Sequence, residues 1–245
     1  MRAVITGMSG FLGSALNKRL LGMGWETFEE LRPDVDYVFL FGSPSSNNWF
    51  NHALSYSVRE TIENFINVAD FCKEHEIKLI YPSSGTVYQG DTAYAKTKKV
   101  LEQLAEIYDI GALGLRIFAG YGPGEGHKKG YSSVVYEFIQ EMKAGRSPVI
   151  WGDGEQIRDF IYIDDIIDNI IEMKDESGVI DIGTGCGNSI NNVVGVINEK
   201  LGTNIKPKFI NKPKKYIDYS VSANPSICEI SLVDGIEKII KLDLN

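Results

Sequence analysis

Apolar residues occur along this chain in short runs that alternate with amphipathic stretches. The first run covers residues 3–5, and a glycine-rich turn and leucines at helical spacing follow it up to Gly22. A short apolar run bounded by turn residues is typical of a strand buried in a parallel sheet, and a stripe of leucines is typical of a helix packed on that sheet. The beginning of the chain therefore predicts a strand, a turn and a helix.

The same alternation continues over most of the sequence. Further strands are predicted at 37–41, 78–81, 112–117 and 179–182, and helices at 53–74, 92–108 and 191–201. Strands that alternate with helices form parallel sheets with right-handed crossover connections. We therefore expect an α/β fold built on a doubly wound parallel sheet.

The pattern becomes less regular after about residue 118. Glycine, proline and lysine are frequent in 120–131, and three prolines interrupt 204–226. We interpret these stretches as a smaller C-terminal lobe over the carboxyl edge of the sheet, where open α/β folds bind ligands. The predicted boundaries place 1–117, joined by 157–183, in the main lobe, and 118–156 and 184–245 in the smaller lobe.

Composition and charge exclude several classes of protein. The chain has 245 residues, 43% of them hydrophobic, and a formal net charge of −8, which is unfavourable for a nucleic-acid surface. No apolar run is long enough to span a bilayer, and no leader of charged and then apolar residues is evident. Cys72, Cys186 and Cys228 lack metal-ligand spacing. We expect a cytoplasmic protein with reduced thiols, without a metal, and with neither nucleic-acid nor membrane partners.

Three glycines between the first strand and the first helix indicate a dinucleotide site. Gly7, Gly10 and Gly13 have the spacing that lets a backbone turn tightly, approach a pyrophosphate and pack a helix on a strand. The N-terminus of the helix then offers N–H groups and a partial positive charge to the phosphates. The predicted cofactor residues are Gly7, Ser9, Gly10, Phe11, Leu12 and Gly13 in this turn, with Gly42 and Ser43 after the strand at 37–41.

The choice between NAD and NADP depends on the end of the second strand. An acidic side chain about 20 residues beyond the glycines holds the adenosine ribose of NAD in such folds. Glu26, Glu29 and Glu30 are near this place, but none lies at a clear strand end, and Arg32 would suit the 2′-phosphate of NADP. We take NAD as the cofactor and leave NADP as the alternative.

Segment 83–99 combines a strand end with a reactive pair of side chains. Two serines follow an apolar run, and Tyr94 and Lys98 are one helical turn apart, so that a phenol and an ammonium share a helix face. The alternative is that a tyrosine and a lysine have this spacing by chance on a surface helix. The glycine turn upstream favours a catalytic pair instead.

Five motifs follow one another along the chain: TGMSGFLG, SSGTVY, YAKTK, RIFAGYGPGE and GDGEQIRDFIYIDD. Together they resemble the extended short-chain dehydrogenase/reductase family, in its branch of NAD-dependent nucleotide-sugar epimerases and dehydratases. The similarity extends from residue 1 to about residue 242. It implies a Rossmann-type fold with a dinucleotide-binding main lobe, a smaller C-terminal substrate-binding lobe, and a nucleotide-diphosphate sugar as substrate. It also implies a homodimer formed through the helices at 53–74 and 92–108.

The resemblance also assigns catalytic roles, because oxidation of a sugar hydroxyl needs a base for its proton and an acceptor for its hydride. Tyr94 would be the acid and base, and Lys98 would tune it and hold the nicotinamide ribose. Ser84 would bond the reacting oxygen, with Thr86 as a helper and Ser83 as backbone support. We expect Lys98 and the oxidised nicotinamide to lower the tyrosine pKa from ~10 by roughly 3 units, which takes about 4 kcal/mol.

Two arginines and a tryptophan bear on the substrate. Arg158 matches a family position that grips the sugar-nucleotide diphosphate, and the alternative for it is a pairing with Asp159 or Asp164. Arg116 matches a position that is more often structural. Trp151 fits either the pocket for the nucleotide base or an ordinary core.

The residues after Ser84 bear on the type of reaction. The related 4,6-dehydratases carry Asp-Glu there, whereas this chain has Gly85 and Thr86, which supply neither an acid nor a base. We therefore favour a 4-epimerase that oxidises C4 transiently and returns the hydride to the other face. The alternatives are a 4-keto reductase or dehydratase of the same family and, less favoured, a non-catalytic cofactor-binding module.

Some positions depart from the family pattern. Ser57 and Ala119 stand where the family usually has asparagine. Residues 25–36 leave out most of the usual second strand, helix and third strand. We expect these departures to change contacts with the adenosine and the substrate, but not the catalytic residues.

Overall fold

The computed structural model describes residues 1–128, 130–213 and 215–242. Its strands are β1 Arg2–Thr6, β2 Glu26–Phe28, β3 Tyr37–Leu40, β4 Lys78–Ser84, β5 Leu113–Ile117, β6 Ala119–Tyr121, β7 Val149–Trp151, β8 Ile157–Tyr162, β9 Gly178–Ile182, β10 Gly187–Ser189, β11 Lys208–Ile210 and β12 Tyr219–Ser220. Its helices are α1 Phe11–Gly22, α2 Asn47–His52, α3 Leu54–His75, α4 Ala93–Tyr108, α5 Val134–Lys143, α6 Ile163–Met173, α7 Ile190–Leu201 and α8 Leu232–Leu242. Short 3₁₀ helices cover Gly85–Tyr88 and Glu125–Lys128.

The chain divides into two compact units. The first contains Met1–Ile117 and Ile167–Asp181. The second contains Phe118–Ile166 and the chain from Ile182 onward. Each unit has its own sheet and its own buried residues.

A six-stranded sheet forms the centre of the first unit, in the order β2-β1-β3-β4-β5-β9. β1 pairs in parallel with β2 and β3, β3 pairs in parallel with β4, and β4 with β5. The sheet grows to one side of β1 and then to the other, so its topological switch point lies between β1 and β3. The predicted α/β fold with a Rossmann-type sheet is confirmed.

The core of the first unit follows from the apolar stripes of its helices. Phe65 and Val68 of α3 and Leu101 of α4 are at most 2% exposed and belong to one buried cluster with Val38 and Leu79 of the sheet. Burial of side chains of this size contributes about 1.5–3 kcal/mol each. The stripes hold α3 and α4 on the sheet and so fix the helix that carries Tyr94.

The connection between α1 and β3 is short, as the sequence indicated. A second strand is retained, but it has only three residues, and β3 follows without an intervening helix or further strand. The Arg2 side chain spans this region, because its Nε lies 3.2 Å from Glu26 and its Nη1 donates to Asp34. The sheet therefore ends at β2 on this side. The usual Rossmann order, 3-2-1-4-5-6, has one more strand beyond this position.

The second unit is built around β8. This strand pairs in parallel with β6 and β12 and antiparallel with β10, while β7 and β11 form a separate parallel pair. Helices α5, α7 and α8 pack against one another beside them. Residues 204–226, which the sequence indicated as irregular, contain the short strands β11 and β12.

The boundaries differ from the predicted ones at two places. Residues 182–183 and the longer segment 157–166 belong to the second unit, although the sequence analysis assigned 157–183 to the main lobe. The reason for 157–166 is strand pairing, since β8 bonds with β6, β10 and β12 and is not part of the six-stranded sheet. Such pairing between distant segments leaves no local signal in an apolar run.

Among the described residues, every helix is too short or too polar to cross a lipid bilayer.

Candidate active site

The turn between β1 and α1 lies at the switch point of the sheet. Gly7 has a φ of +69°, which strains any residue with a side chain. A Cβ on Gly7 would lie 2.7 Å from the Cα of Gly42, which follows β3, and a Cβ on Gly13 would lie 2.1 Å from the carbonyl oxygen of Gly7. Glycine is therefore required where β1, β3 and α1 meet.

The first turn of α1 is open to an anion. Its N-cap residue, Gly10, is extended and has no side chain to accept a hydrogen bond from the helix. The Gly10 N–H donates to the carbonyl of Gly7 at 2.9 Å, which closes the turn. Ser9 is exposed, and Phe11 and Leu12 are half-buried at the start of the helix. Uncapped N–H groups at a helix start are the arrangement that binds phosphate in dinucleotide folds.

The end of β3 joins this turn. The Gly42 N–H donates to Thr6 Oγ1 at 3.1 Å, and Asn64 Nδ2 donates to the Gly42 carbonyl at 2.8 Å. Ser43 follows, half-buried, with its N–H bonded to the carbonyl of Phe41 at 3.0 Å. Thr6 and Asn64 were not predicted, because no local pattern separates them from other polar residues.

The predicted catalytic residues come together at the end of β4 and the start of α4. Ser84 is the last residue of β4, and its Oγ accepts hydrogen bonds from the Thr86 N–H at 3.2 Å and from Thr86 Oγ1 at 3.0 Å. Thr92 caps α4 by accepting from the Ala95 N–H at 3.1 Å, which starts the helix just before Tyr94. Ser84 and Tyr94 share a hydrogen bond, and Lys98 Nζ lies 5.7 Å from the centroid of the Tyr94 ring.

Burial is the main influence on the charge state of this cluster. Burial raises the pKa of Tyr94 to about 12, although the hydrogen bond with Ser84 acts in the opposite direction. Burial lowers the pKa of Lys98 to about 8. Desolvation disfavours the charged form of both groups. The expected lowering of the tyrosine pKa, which depends on the positive charge of the nicotinamide as well as on Lys98, stays a prediction. The phenol is neutral at physiological pH.

The Lys98 ammonium is a buried donor that fits a ligand hydroxyl. Lys98 is 1% exposed, and in the described parts of the chain no carboxylate or carbonyl pairs with its Nζ. The ammonium lies over the face of the Tyr94 ring. A buried cation without a partner is costly, and it marks a place where a polar ligand group restores the lost solvation.

An aromatic side chain that the sequence did not single out covers the phenol. Phe50, on the short helix α2, is 2% exposed, and its ring meets the Tyr94 ring edge to face at a centroid distance of 5.3 Å. Ser57, which stands where the family usually has asparagine, is fully buried and donates to the carbonyl of Trp49 at 3.4 Å. These contacts hold α2 beside Tyr94 and contribute to the burial of its hydroxyl.

Ser83 has a partner other than the predicted one. Its hydroxyl donates to Oε1 of the buried Glu102 at 2.7 Å, so it serves a side chain rather than the backbone. Arg116 binds both oxygens of the same carboxylate at 2.8 Å. A structural role for Arg116 agrees with these contacts, but Glu102 was missed because its spacing alone looks like that of a surface residue on α4.

Arg158 lies on β8 in the second unit. Its Nη1 donates to the Ile157 carbonyl at 2.8 Å, its Nη2 donates to the Ile217 carbonyl, and the guanidinium lies 5.4 Å from the Tyr216 ring centroid. Burial lowers the pKa of Arg158. The alternative pairing with Asp159 is not seen among the contacts of the described residues. The Asp159 carboxylate instead accepts from the N–H groups of 184, 185 and 222.

Trp151 lies at the end of β7 and is 37% exposed. Its ring meets the ring of Tyr216 edge to face at 5.7 Å, and Gln156 Nε2 donates both to the Trp151 carbonyl at 3.0 Å and to the Tyr216 hydroxyl at 3.2 Å. A groove of about 330 Å³ lies beside it, lined by Gly152, Asp153 and residues 209–212. Trp151 is therefore a surface aromatic and not part of an ordinary core.

The first unit has a glycine turn at the switch point of a parallel sheet. A serine, a tyrosine and a lysine cluster on its fourth strand and the next helix. These features define a Rossmann-type protein of the short-chain dehydrogenase/reductase class. The model of the NAD dependent epimerase/dehydratase family matches residues 26–183, which is more than half of the chain. The chain belongs to this family, as its motifs predicted.

Relatives and solved structures agree with this assignment. A putative UDP-glucose 4-epimerase of Methanocaldococcus jannaschii is 23% identical over 299 aligned positions, with 97% of this chain and 96% of that protein covered. The alignment is longer than the 245-residue chain, so the relative carries segments that this chain lacks. A UDP-glucose 4-epimerase of Thermotoga maritima, solved with UDP-glucose, has a TM-score of 0.90 at 20% identity, with 100% of this chain and 99% of that chain covered. A UDP-glucuronic acid 4-epimerase variant of Bacillus cereus, solved with UDP-4-deoxy-4-fluoro-glucuronic acid and NAD, has a TM-score of 0.86 at 21% identity, with both chains covered completely.

Proposed function

We propose that this protein is an NAD-dependent nucleotide-sugar 4-epimerase, with Ser84, Tyr94 and Lys98 as its catalytic residues. The observation that carries the proposal is the buried cluster of these three side chains, in which Ser84 and Tyr94 share a hydrogen bond and Lys98 lies over the Tyr94 ring. The curated relative and the two solved structures carry 4-epimerase names. The residues after Ser84 include no carboxylate at the position that a 4,6-dehydratase would need.

The cofactor proposal rests on two features of the first unit. The turn from Gly7 to Gly13, with Gly42 and Ser43 beside it, would hold the pyrophosphate through backbone N–H groups. The Lys98 ammonium would bind the nicotinamide ribose, whose hydroxyls would satisfy a donor that is now buried without a carboxylate or carbonyl partner among the described residues. When bound, the nicotinamide would supply the hydride acceptor and a positive charge.

NAD suits this chain better than NADP. Glu29 follows the last residue of β2 directly and is exposed, which is the position of a carboxylate that accepts from the adenosine ribose hydroxyls. Arg32, the candidate partner for a 2′-phosphate, is engaged elsewhere. It binds Asp34 through Nε at 2.5 Å and Nη2 at 2.8 Å and lies 3.9 Å over the Phe28 ring.

Tyr94 and Ser84 would handle the proton of the sugar. In the oxidative half of the reaction the Tyr94 oxygen accepts the proton of the C4 hydroxyl, and in the reductive half it returns a proton to the C4 carbonyl oxygen. Ser84 Oγ, fixed by Thr86, would bond the same sugar oxygen. The raised pKa of Tyr94, about 12, means that oxidation depends on the positive charge of the cofactor, whereas proton return does not.

That same pKa supports a second candidate, a 4-keto reductase. A neutral phenol is already in the state that donates a proton to a ketone when hydride is delivered. The two candidates share Ser84, Tyr94 and Lys98 and differ in whether oxidation of the starting sugar is required.

The substrate would be a nucleotide-diphosphate sugar bound through Arg158. Arg158 contacts two backbone carbonyls and shares a hydrogen bond with Tyr216, and these contacts fix the plane of its guanidinium and use part of its five donors. The remaining donors suit a diphosphate, since arginine binds phosphate oxygens in a forked manner. Thr86, which already bonds Ser84, would line the sugar site.

One experiment separates these possibilities. The purified protein is incubated with NAD and each of UDP-glucose, UDP-galactose and UDP-glucuronic acid, and separately with NADH and a UDP-4-keto sugar. Sugar products and nicotinamide absorbance are followed in both arms. Interconversion of C4 epimers supports the epimerase, and turnover only of 4-keto sugars with NADH supports the reductase. Tyr94→Phe should lower kcat by about 10²–10⁴-fold, while the matched control Tyr56→Phe, at a tyrosine that is 60% exposed, should keep it. Full activity in Tyr94→Phe would contradict the assigned mechanism.

We also propose a cytoplasmic homodimer. Ile107 of α4 is 75% exposed, and an apolar side chain of this kind suits an interface. Phe65 and Val68 of α3 are in the core and are not available for such contacts. Gel filtration with light scattering tests the dimer, and Ile107→Lys should shift it to the monomer.

A further inference from the structure

We propose that Glu102 and Arg116 are positioning residues for the Ser84, Tyr94 and Lys98 cluster, and that with Ser83 they lock the catalytic helix onto the two strands beside it. This inference rests on the proposed function, because it assigns these side chains a part in the same reaction. We call Ser83, Glu102 and Arg116 the carboxylate clamp. All three belong to the first unit.

The clamp continues the catalytic face of α4. Tyr94, Lys98 and Glu102 are four residues apart in turn, and positions with this spacing lie on one side of a helix. All three are buried, with exposures of 9%, 1% and 1%. Whatever moves Glu102 relative to the sheet therefore moves Lys98 and Tyr94 as well.

The Glu102 carboxylate is fully occupied by donors. Oε1 accepts from Ser83 Oγ at 2.7 Å and from Arg116 Nε at 2.8 Å. Oε2 accepts from Arg116 Nη2 and from Lys99 Nζ, each at 2.8 Å. A forked arginine bond fixes the plane and the direction of a carboxylate, which a single bond to lysine does not do.

The donors come from two neighbouring strands at paired positions. Ser83 of β4 and Arg116 of β5 are opposite each other in the register of the sheet. Ser83 directly precedes Ser84, so the bond from Ser83 to Glu102 ties the backbone of the proposed catalytic serine to the helix of the proposed catalytic tyrosine. The clamp thus joins the three elements on which the cluster depends.

The same arginine reaches the turn that follows Ser84. Arg116 Nη1 donates to the Tyr88 hydroxyl at 2.8 Å, and that hydroxyl donates to Asp181 Oδ1 at 2.8 Å. Tyr88 closes the 3₁₀ turn that contains Thr86, the residue whose side chain bonds Ser84. The network therefore supports the cluster from the strand side and from the turn side.

The clamp stays charged over the pH range of any activity assay. Burial by itself would raise the pKa of Glu102, but hydrogen bonds from Arg116, Lys99 and Ser83 outweigh it and hold that pKa at about 2. The hydrogen bond with Glu102 in turn raises the pKa of Arg116. A buried pair of this kind contributes little net stability compared with apolar residues of the same shape, but it fixes geometry. Geometry is what a hydride and proton transfer site needs, because misplacement by ~1 Å can cost about 10²-fold in rate.

The test compares two serines that make the same bond in different units. Ser83→Ala removes a hydroxyl that donates to a buried carboxylate at 2.7 Å without leaving a charge unpaired. Ser133→Ala removes the hydroxyl that donates to Oε1 of the buried Glu125 at 2.7 Å, and it also removes the side-chain cap of α5. Arg116→Lys keeps the positive charge but loses the two parallel hydrogen bonds that the guanidinium makes to the Glu102 carboxylate. If Arg116→Lys does not fold, Ser83→Ala carries the test alone.

Two readouts are measured for each variant. The first is the NMR resonance of Tyr94 in ¹³C-tyrosine-labelled protein, assigned with Tyr94→Phe, which does not depend on any substrate. The second is kcat and KM with the best sugar nucleotide, together with the Kd of NAD. If the clamp positions the cluster, Ser83→Ala and Arg116→Lys should shift the Tyr94 resonance and lower kcat by about 10–100-fold. KM and the Kd of NAD should change less than about threefold in these variants. Ser133→Ala should change neither the resonance nor the kinetic constants.

The outcomes are separable. An unchanged Tyr94 resonance in Ser83→Ala and Arg116→Lys overturns the clamp, whatever the activity. A shifted resonance with kcat within about twofold of the wild type also overturns it, since positioning would then have no catalytic consequence. A shifted resonance in a protein that turns over no sugar nucleotide supports the geometric coupling and overturns the proposed function instead.

Discussion

Replacement of Lys98 by methionine is expected to stabilise the folded protein at neutral pH while it removes activity. Lys98 is 1% exposed, and burial lowers the pKa of its ammonium from 10.5 to about 8. Methionine fills a similar volume without a charge and adapts to irregular surroundings. The wild-type side chain therefore carries a desolvation cost that the variant lacks.

The size and the sign of the effect follow from the pKa. A fall from 10.5 to about 8 corresponds to about 3 kcal/mol at 1.36 kcal/mol per unit. Because the pKa is lower in the folded protein, the unfolded chain binds more protons between pH 8 and 10.5, and the free energy of unfolding of the wild type rises with pH across that interval. Lys98→Met should be more stable than the wild type by up to about 3 kcal/mol at pH 7, and this difference should shrink as the pH approaches 10.5.

Urea unfolding at pH 7 and at about pH 9.5 measures the difference directly. The other titrating groups are common to both proteins, so their contributions cancel. Lys96→Met on the same helix is the control, because the Lys96 side chain is 65% exposed, and its effect should stay within about 0.5 kcal/mol at both pH values. The reasoning is refuted if Lys98→Met is less stable than the wild type at pH 7, or if its difference from the wild type is the same at both pH values. Retention of a buried, destabilising ammonium agrees with selection for function over stability.

Three further predictions concern the ligands. Gly13→Ala should abolish NAD binding in calorimetry, because its Cβ would lie 2.1 Å from a backbone oxygen of the turn, whereas Gly22→Ala, with no atom within 4 Å, should preserve it; equal NAD affinity in both variants would remove the turn from the cofactor site. Asp34→Asn should raise the affinity for NADP relative to NAD in fluorescence titrations, because it releases Arg32 from its forked bond, and an unchanged ratio would mean that Arg32 cannot reach the adenosine ribose. Arg158→Ala should weaken UDP binding by about 10–100-fold, with Arg158→Lys in between because lysine lacks the fork; unchanged affinity would take Arg158 out of the substrate site.

The local patterns of the sequence were sufficient for the fold, and the resemblance of its motifs to a known family supplied the members of the proposed catalytic cluster. The predicted helix at 92–108 is α4, Ala93–Tyr108, and its start could be predicted because Thr92 precedes the first helical residue and accepts from its first turn. The predicted strand at 78–81 continues to Ser84 as β4. Such features depend on backbone periodicity and on turn chemistry, which neighbouring residues determine.

The tertiary structure decided the electrostatics and the pairing of distant segments. Burial raises the pKa of Tyr94, and the ring of Phe50, which the sequence did not single out, packs against it there. Glu102 is indistinguishable in the sequence from a solvated glutamate on a helix, yet Ser83 and Arg116 bury and bind it. Desolvation and hydrogen bonding act through space between segments that are far apart in the chain, whereas the patterns along a sequence record only what each segment requires of its own backbone.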